Sequence, residues 1–144
     1  MRYTIIGDDM DCIFCKIVNG DIPCHKIYED LDTLAFLDIA DDLYGHTLVI
    51  PKKHYKNILD IDLDTLNKVM STVKKVSDHY VNDLGFDGIN LMNANEEVAG
   101  QSVLHLHFHV LPRKKDDNLD LWPLHGNLEN DLSEVCEKLK FKEE

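Results

Sequence analysis

Residues 104–111 read Leu104-His105-Leu106-His107-Phe108-His109-Val110-Leu111, and the alternation in this stretch decides the fold class. Successive side chains of a β-strand point to opposite faces. The pattern therefore predicts a strand with Leu104, Leu106, Phe108 and Val110 on one face and His105, His107 and His109 on the other, neighbours on a face lying roughly 6.6 Å apart. Three imidazoles along a half-buried ridge are able to bind metal, take up protons or attack phosphorus. One reading open at this point is that all three ligate a single transition metal.

Upstream, Ile13, Phe14, Ile17 and Val18 recur at helical spacing before the Asn19-Gly20 stop and Pro23, which predicts a short helix over residues 12–20. Residues 26–29, 33–39 and 46–51 are strand-like and are separated by turn-forming segments at 29–32 and 41–45, predicting an antiparallel meander. Leu63, Leu66, Val69, Met70, Val73, Val76, Tyr80, Val81 and Leu84 then follow a helical stripe, with Asp62 or Asp64 as N-cap and Gly85 as the stop. The stripe is core packing, and Lys68, Lys74 and Lys75 are placed on the wet face. Residues 88–93 read as a further strand, 93–100 as a polar loop, and 131–140 as a terminal helix.

A chain of 144 residues suits one domain with a proper core. Its net charge of −12 argues against a nucleic-acid partner, which calls for a basic stripe, so any phosphate must be bound locally. No apolar run approaches the roughly 20 residues of a membrane span, and residues 1–11 lack the apolar centre of a signal peptide. The expectation is a cytoplasmic protein with no membrane partner and no redox cofactor, whose Cys12, Cys15, Cys24 and Cys136 stay reduced. Residues 1–11 are read as an N-terminal extension without assigned function.

Just before the histidines stands Ala99-Gly100-Gln101-Ser102. A glycine lets backbone approach a ligand closely, Gln101 and Ser102 supply neutral donors, and successive N–H groups in such a turn are able to cradle phosphate without a lysine. A solvated turn is the plain alternative.

Gly100-Gln101-Ser102 followed by His105-Leu106-His107-Phe108-His109-Val110-Leu111 resembles the signature of the histidine triad (HIT) family. Further matches fall in the family's order: Cys12-Ile13-Phe14-Cys15-Lys16-Ile17, Ile22-Pro23, Ala35-Phe36-Leu37-Asp38-Ile39 and the run from Gly45-His46-Thr47 to His54. The resemblance covers residues 12–113 and is nearest the Hint-like nucleotide-binding hydrolases of small microbial type. It implies an α+β fold: a five-stranded antiparallel sheet with one long helix and a short N-terminal helix, closed into a two-fold homodimer. The segment 114–144 would then pack near the site and the dimer interface.

The resemblance also implies nucleotidyl transfer at the α-phosphate of purine nucleotide conjugates, phosphoramidates or dinucleoside polyphosphates. His107 would attack phosphorus to form a covalent nucleotidyl-histidine, His109 would donate to phosphate oxygens, Gln101 would steady the same group, and Ser102 would assist the leaving group. Asp38 aligns with the family's ribose-binding carboxylate; Ile13, Phe14 and Ile17 match base-pocket residues but suit ordinary core equally. The family's phosphate-contacting asparagine falls on Ala94, so either Asn95 substitutes after a small loop shift or the contact is missing. An adaptor or sensor with incidental turnover remains the alternative function.

Cys12-x-x-Cys15 has the spacing of half a tetrahedral zinc site. In the family such a pair is completed by histidines at the positions of His54 and His105, giving a structural zinc; two buried thiols are the plain alternative. Trp122-Pro123 resembles a Hint-like specificity element, and a packing tryptophan accounts for it as well. His25, His46, His79 and His125 are read as surface or hydrogen-bonded histidines.

Overall fold

The computed structural model describes residues 11–122 and 125–142; residues 1–10 of the expected extension and Pro123 lie outside the described residues. Thr33 through Phe36 and Thr47 through Pro51 are buried without a break, so neither strand has a wet face and the sheet is covered on both sides. Strands β1 (Lys26–Glu29), β2 (Thr33–Leu37), β3 (Thr47–Pro51), β4 (Gly88–Met92) and β5 (Phe108–Arg113) pair antiparallel in the order β1-β2-β3-β5-β4. With helices α1 (Ile13–Val18), α2 (Leu63–Asp78) and α3 (Leu132–Leu139), the chain is the α+β fold expected.

Helix α2 covers one face. Asp62 caps it by accepting from Thr65 N, and a five-residue π-helical turn at His79–Asp83 carries it to Gly85, whose φ of +79° ends it. Val69, Val73 and Val76 pack against Ala35, Val49 and Val110, each contributing roughly 1.5–3 kcal/mol by burial. Thr33 and Thr72 hydroxyls meet at 2.7 Å and Thr47 and Tyr80 at 2.6 Å, so the polar atoms in this layer are paired. Helix α1 covers the other face, where Phe14 and Cys15 join Leu34, Phe36, Leu48 and Ile50.

The histidine strand is shorter than expected. Ladder pairing begins at Phe108; residues 104–107 lead in without strand pairing, tied by Leu106 N to Tyr55 O at 2.8 Å, and Leu104 is half exposed. In this lead-in His105 turns its ring into the core, where it meets the carbonyl of Pro51 at the end of β3 and the two cysteines. Strand β2 likewise stops at Leu37 rather than residue 39, because the Asp38 carboxylate accepts from Ala40 N and starts a turn. Helix α3 has its N-cap at Asp131 and buries no residue within the single chain, and Trp122 is 84% exposed.

Candidate active site

Strand β5 sets His109 opposite Leu48 of β3, on the α1 side, while Phe108 and Val110 pack toward α2. The alternation read from the sequence therefore holds over these residues and delivers imidazoles to a cleft of about 330 Å³ between α1 and the strand ends. Ile13, Phe14 and Ile17 form its apolar wall, Asp38 and Ser102 its polar rim, and His107 and His109 its floor. Phe14 also packs edge-on to Phe36 at 5.5 Å, so it is both pocket wall and core.

His107 is 7% exposed, and its Nδ1 lies 2.7 Å from the His105 carbonyl. A carbonyl only accepts, so Nδ1 carries the hydrogen and Nε2 keeps its lone pair. Burial holds the His107 pKa below the ordinary histidine value, the effect of the carbonyl being smaller. The Asn93 amide donates to the His107 carbonyl at 2.9 Å and fixes the backbone beneath the ring. His109 is pulled down to about 4, chiefly by burial and then by the neighbouring His107 and His46 rings.

His46 is the functional candidate that the sequence reading passed over. It is buried, its Nδ1 lies 2.7 Å from Asp42 Oδ1, and its Nε2 lies 2.7 Å from His109 Nδ1. The Asp38 carboxylate stands 3.8 Å from the same Nε2. The available signal was position: His46 sits one residue before a strand whose register brings it beside β5.

The loop before the triad is tied within itself. Gly100 has φ +98°, but a Cβ added there would meet open space, so conformation rather than close approach demands glycine. Ala99 N, Gly100 N and Gln101 N all donate to the Glu96 or Glu97 carbonyls, so these amides are satisfied within the loop and do not form an anion cradle. Gln101 is committed as well: its Nε2 donates to the Lys56 and Val103 carbonyls at 2.7 and 3.0 Å, and its Oε1 accepts from Asn57 Nδ2 and Glu96 N at 3.1 and 2.9 Å. It is a loop clamp, with no donor left for phosphate. Asn95 is held in the loop, accepting from Ile58 N at 2.8 Å and donating one amide hydrogen to Asn93. Gln101→Ala strands four hydrogen-bond partners, of which the Asn57 amide is buried and the others are partly exposed, and is expected to destabilise the protein by about 1–3 kcal/mol in urea unfolding; a change below about 0.5 kcal/mol would show that the clamp is not needed.

Cys12 Sγ, Cys15 Sγ, His54 Nδ1 and His105 Nδ1 all lie within 4.8 Å of one another. The closest sulfur–nitrogen separations are 3.2, 3.4 and 3.5 Å. A tetrahedral zinc with bonds of about 2.3 Å to sulfur and 2.0–2.1 Å to nitrogen sets such edges at about 3.6 Å, so the donor set fits. His105 is wholly buried and its Nε2 donates to the Pro51 carbonyl at 2.8 Å, which leaves Nδ1 bare toward the sulfurs. Burial opposes ionisation of Cys12, but the His105 and His54 rings outweigh it and draw the thiol down to about 5. Because His105 faces these cysteines while His107 and His109 face the cleft, the three rings do not converge on one metal.

Comparison with known proteins accords with this geometry. The family model of the HIT domain matches residues 19–116. The chain belongs to the HIT family. It is 47% identical over 130 residues to an uncharacterised HIT-like protein of Methanocaldococcus jannaschii, covering 90% of this chain and 98% of that one. It is 37% identical over 135 residues to an adenosine 5′-monophosphoramidase of Schizosaccharomyces pombe, covering 92% and 98%. A solved Zn-bound histidine triad protein from Mycobacterium smegmatis superposes with a TM-score of 0.72 at 38% identity, covering 78% of this chain and 81% of that one. This is a HIT-family enzyme. Among its described residues no helix is long and apolar enough to cross a membrane.

Proposed function

We propose that the cleft binds a purine nucleotide conjugate, a phosphoramidate or dinucleoside polyphosphate, and hydrolyses it at the α-phosphate through a nucleotidyl group carried on His107. The observation that carries this reading is the His107 tautomer: Nδ1 held by the His105 carbonyl at 2.7 Å and a lone pair left on Nε2 in a cleft. The lone pair forms the phosphorus–nitrogen bond as the bond to the leaving group breaks, with Ser102 hydrogen-bonding the departing atom. The departing atom takes its proton from the Ser102 hydroxyl; water then displaces His107, one of its hydrogens restoring Ser102 and the other staying on the phosphate. His109 donates to the phosphate oxygens where charge develops. The test is to mix the protein with an adenosine phosphoramidate and look for a nucleotidylated peptide containing His107 alongside released nucleotide; tight nucleotide binding without turnover would assign an adaptor instead.

Asp38 takes the ribose hydroxyls and the apolar wall takes the base. Since Asp38 Oδ1 caps Ala40 N, Asp38→Asn keeps the turn and removes only charge. It is expected to raise KM about tenfold with a smaller change in kcat, in steady-state assays; a fall in kcat with KM unchanged would overturn the ribose role.

The chemistry of the two-cysteine, two-histidine cluster supports zinc held by Cys12, Cys15, His54 and His105. Such a closed site is structural: it polarises nothing in the cleft and pins α1 to the segment that presents His107. The activity is assigned to a two-fold dimer in the cytoplasm. Strand β4 lies at a sheet edge with Leu91 and Met92 exposed, which supports pairing with a second copy.

A further inference from the structure

The cleft poses an electrostatic problem. A nucleotide α-phosphate is an anion, the chain carries a net −12, and no Lys or Arg is among the described residues lining the cleft. Positive charge at the phosphate must come from the imidazoles, and the hydrogen-bond chain from Asp42 through His46 to His109 shows where it resides.

Asp42 Oδ1 accepts at 2.7 Å from His46, so His46 Nδ1 carries a hydrogen. His46 Nε2 and His109 Nδ1 then face each other at 2.7 Å and share one hydrogen. If it belongs to His109 Nδ1 and both rings are neutral, His109 presents a bare Nε2 to the cleft and repels phosphate oxygens. If the pair holds one proton more, the hydrogen lies on His46 Nε2, His46 is an imidazolium between Asp42 and His109, and His109 presents an Nε2–H donor. The same proton on His109 itself is disfavoured, because burial among His107 and His46 makes that ring resist charge. The groups facing the pair are Asp42, Asp38 at 3.8 Å from His46 Nε2, and His107 and Cys24 in the cleft, with His25 and Asp41 bordering the depression beside Asp38. Helix α1 presents only Ile13, Phe14 and Ile17 there.

Building on the nucleotidyl-transfer reading, we propose that Asp42 is a positioning residue that keeps the His46–His109 pair charged and thereby makes His109 a hydrogen-bond donor to the α-phosphate. The carboxylate acts on His109 through His46, touching neither substrate nor reacting atoms. The sign of the pH effect follows. The extra proton is scarcer as pH rises, and the Asp42 carboxylate favours the charged form, so removing its charge depletes that form and brings the alkaline limb of kcat/KM to lower pH. Asp42 is about half exposed, which limits the loss on the alkaline limb to about tenfold.

The test compares wild type, Asp42→Asn and Asp42→Glu in two ways. Histidine ¹⁵N spectra of the full chain across about pH 5 to 9 read the protons on His46 and His109 without any substrate. The expected result is a doubly protonated His46 and an Nε2-protonated His109 in wild type, with the doubly protonated form about tenfold scarcer at the alkaline end of the range in Asp42→Asn and restored by Asp42→Glu. Hydrolysis of an adenosine phosphoramidate is expected to lose about tenfold on the alkaline limb in Asp42→Asn, the loss shrinking toward lower pH. A singly protonated His46 in wild type at pH 6, or a limb that does not move, would overturn the proposal. Absence of hydrolysis by wild type would sink the function reading instead, and the nitrogen spectra would still decide the role of Asp42.

Discussion

His107→Ala is expected to abolish nucleotide-conjugate hydrolysis, with turnover falling by about 10³-fold or more while nucleotide affinity changes little. The asymmetry follows from geometry. In the proposed mechanism His107 supplies the lone pair for the covalent step, and among the described residues lining the cleft no other ring nitrogen is held in that tautomer by a backbone carbonyl. Removing a covalent nucleophile costs the whole pathway rather than one stabilising contact. Binding, by contrast, is assigned in the proposed function to Asp38 and the apolar wall of Ile13, Phe14 and Ile17, which line the cleft and which the substitution leaves in place. The fold is expected to survive, since the ring loses one hydrogen bond and an edge-on contact with Phe14 at 5.2 Å, a cost of about 1–2 kcal/mol. Turnover, nucleotide titration and thermal melting on the same preparation separate these effects. A variant that folds, binds and turns over at the wild-type rate would remove His107 from the chemistry.

Much of the architecture was legible because local signals agreed with the fold. The stripe from Val69 to Val76 set α2 and its buried face, Asp62 and Gly85 marked its ends, and the turn residues divided β1, β2 and β3. What escaped was decided by partners distant in sequence. His105 lies ahead of the strand, where Pro51, 54 positions away, offers a carbonyl and Cys12 and Cys15 offer sulfur. Gln101 looked like a phosphate donor until its four hydrogen bonds to Lys56, Asn57, Glu96 and Val103 were counted. His46 looked like any other histidine because nothing local announces that β3 and β5 will set it against His109. A residue type advertises capacity; only the fold shows whether that capacity is already in use.

Removal of the proposed zinc is expected to have the second large effect, on stability first and on activity through it. The Cys12, Cys15, His54 and His105 atoms come from three separate parts of the chain: the start of α1, the segment after β3 and the entry to β5. A zinc joining them closes long loops and, binding only the folded state, adds its affinity to the folding free energy. A contribution of about 4 kcal/mol would shift the melting temperature by roughly 10–20 °C for a chain of this size. Metal analysis is expected to find one zinc per chain, and a strong chelator to lower the melting temperature by that margin. Turnover should fall in parallel, because the His105 carbonyl that fixes the His107 tautomer is carried on a residue that the proposed zinc would hold. The informative substitution is His54→Ala. If the cluster were only buried thiols and a hydrogen-bonded His105, losing a partly buried ring would cost about 1 kcal/mol, whereas loss of a ligand from a four-donor site releases the metal and most of its stabilisation. A His54→Ala protein that melts within about 3 °C of wild type and binds no less zinc would dismiss the metal reading and leave the two cysteines as ordinary core.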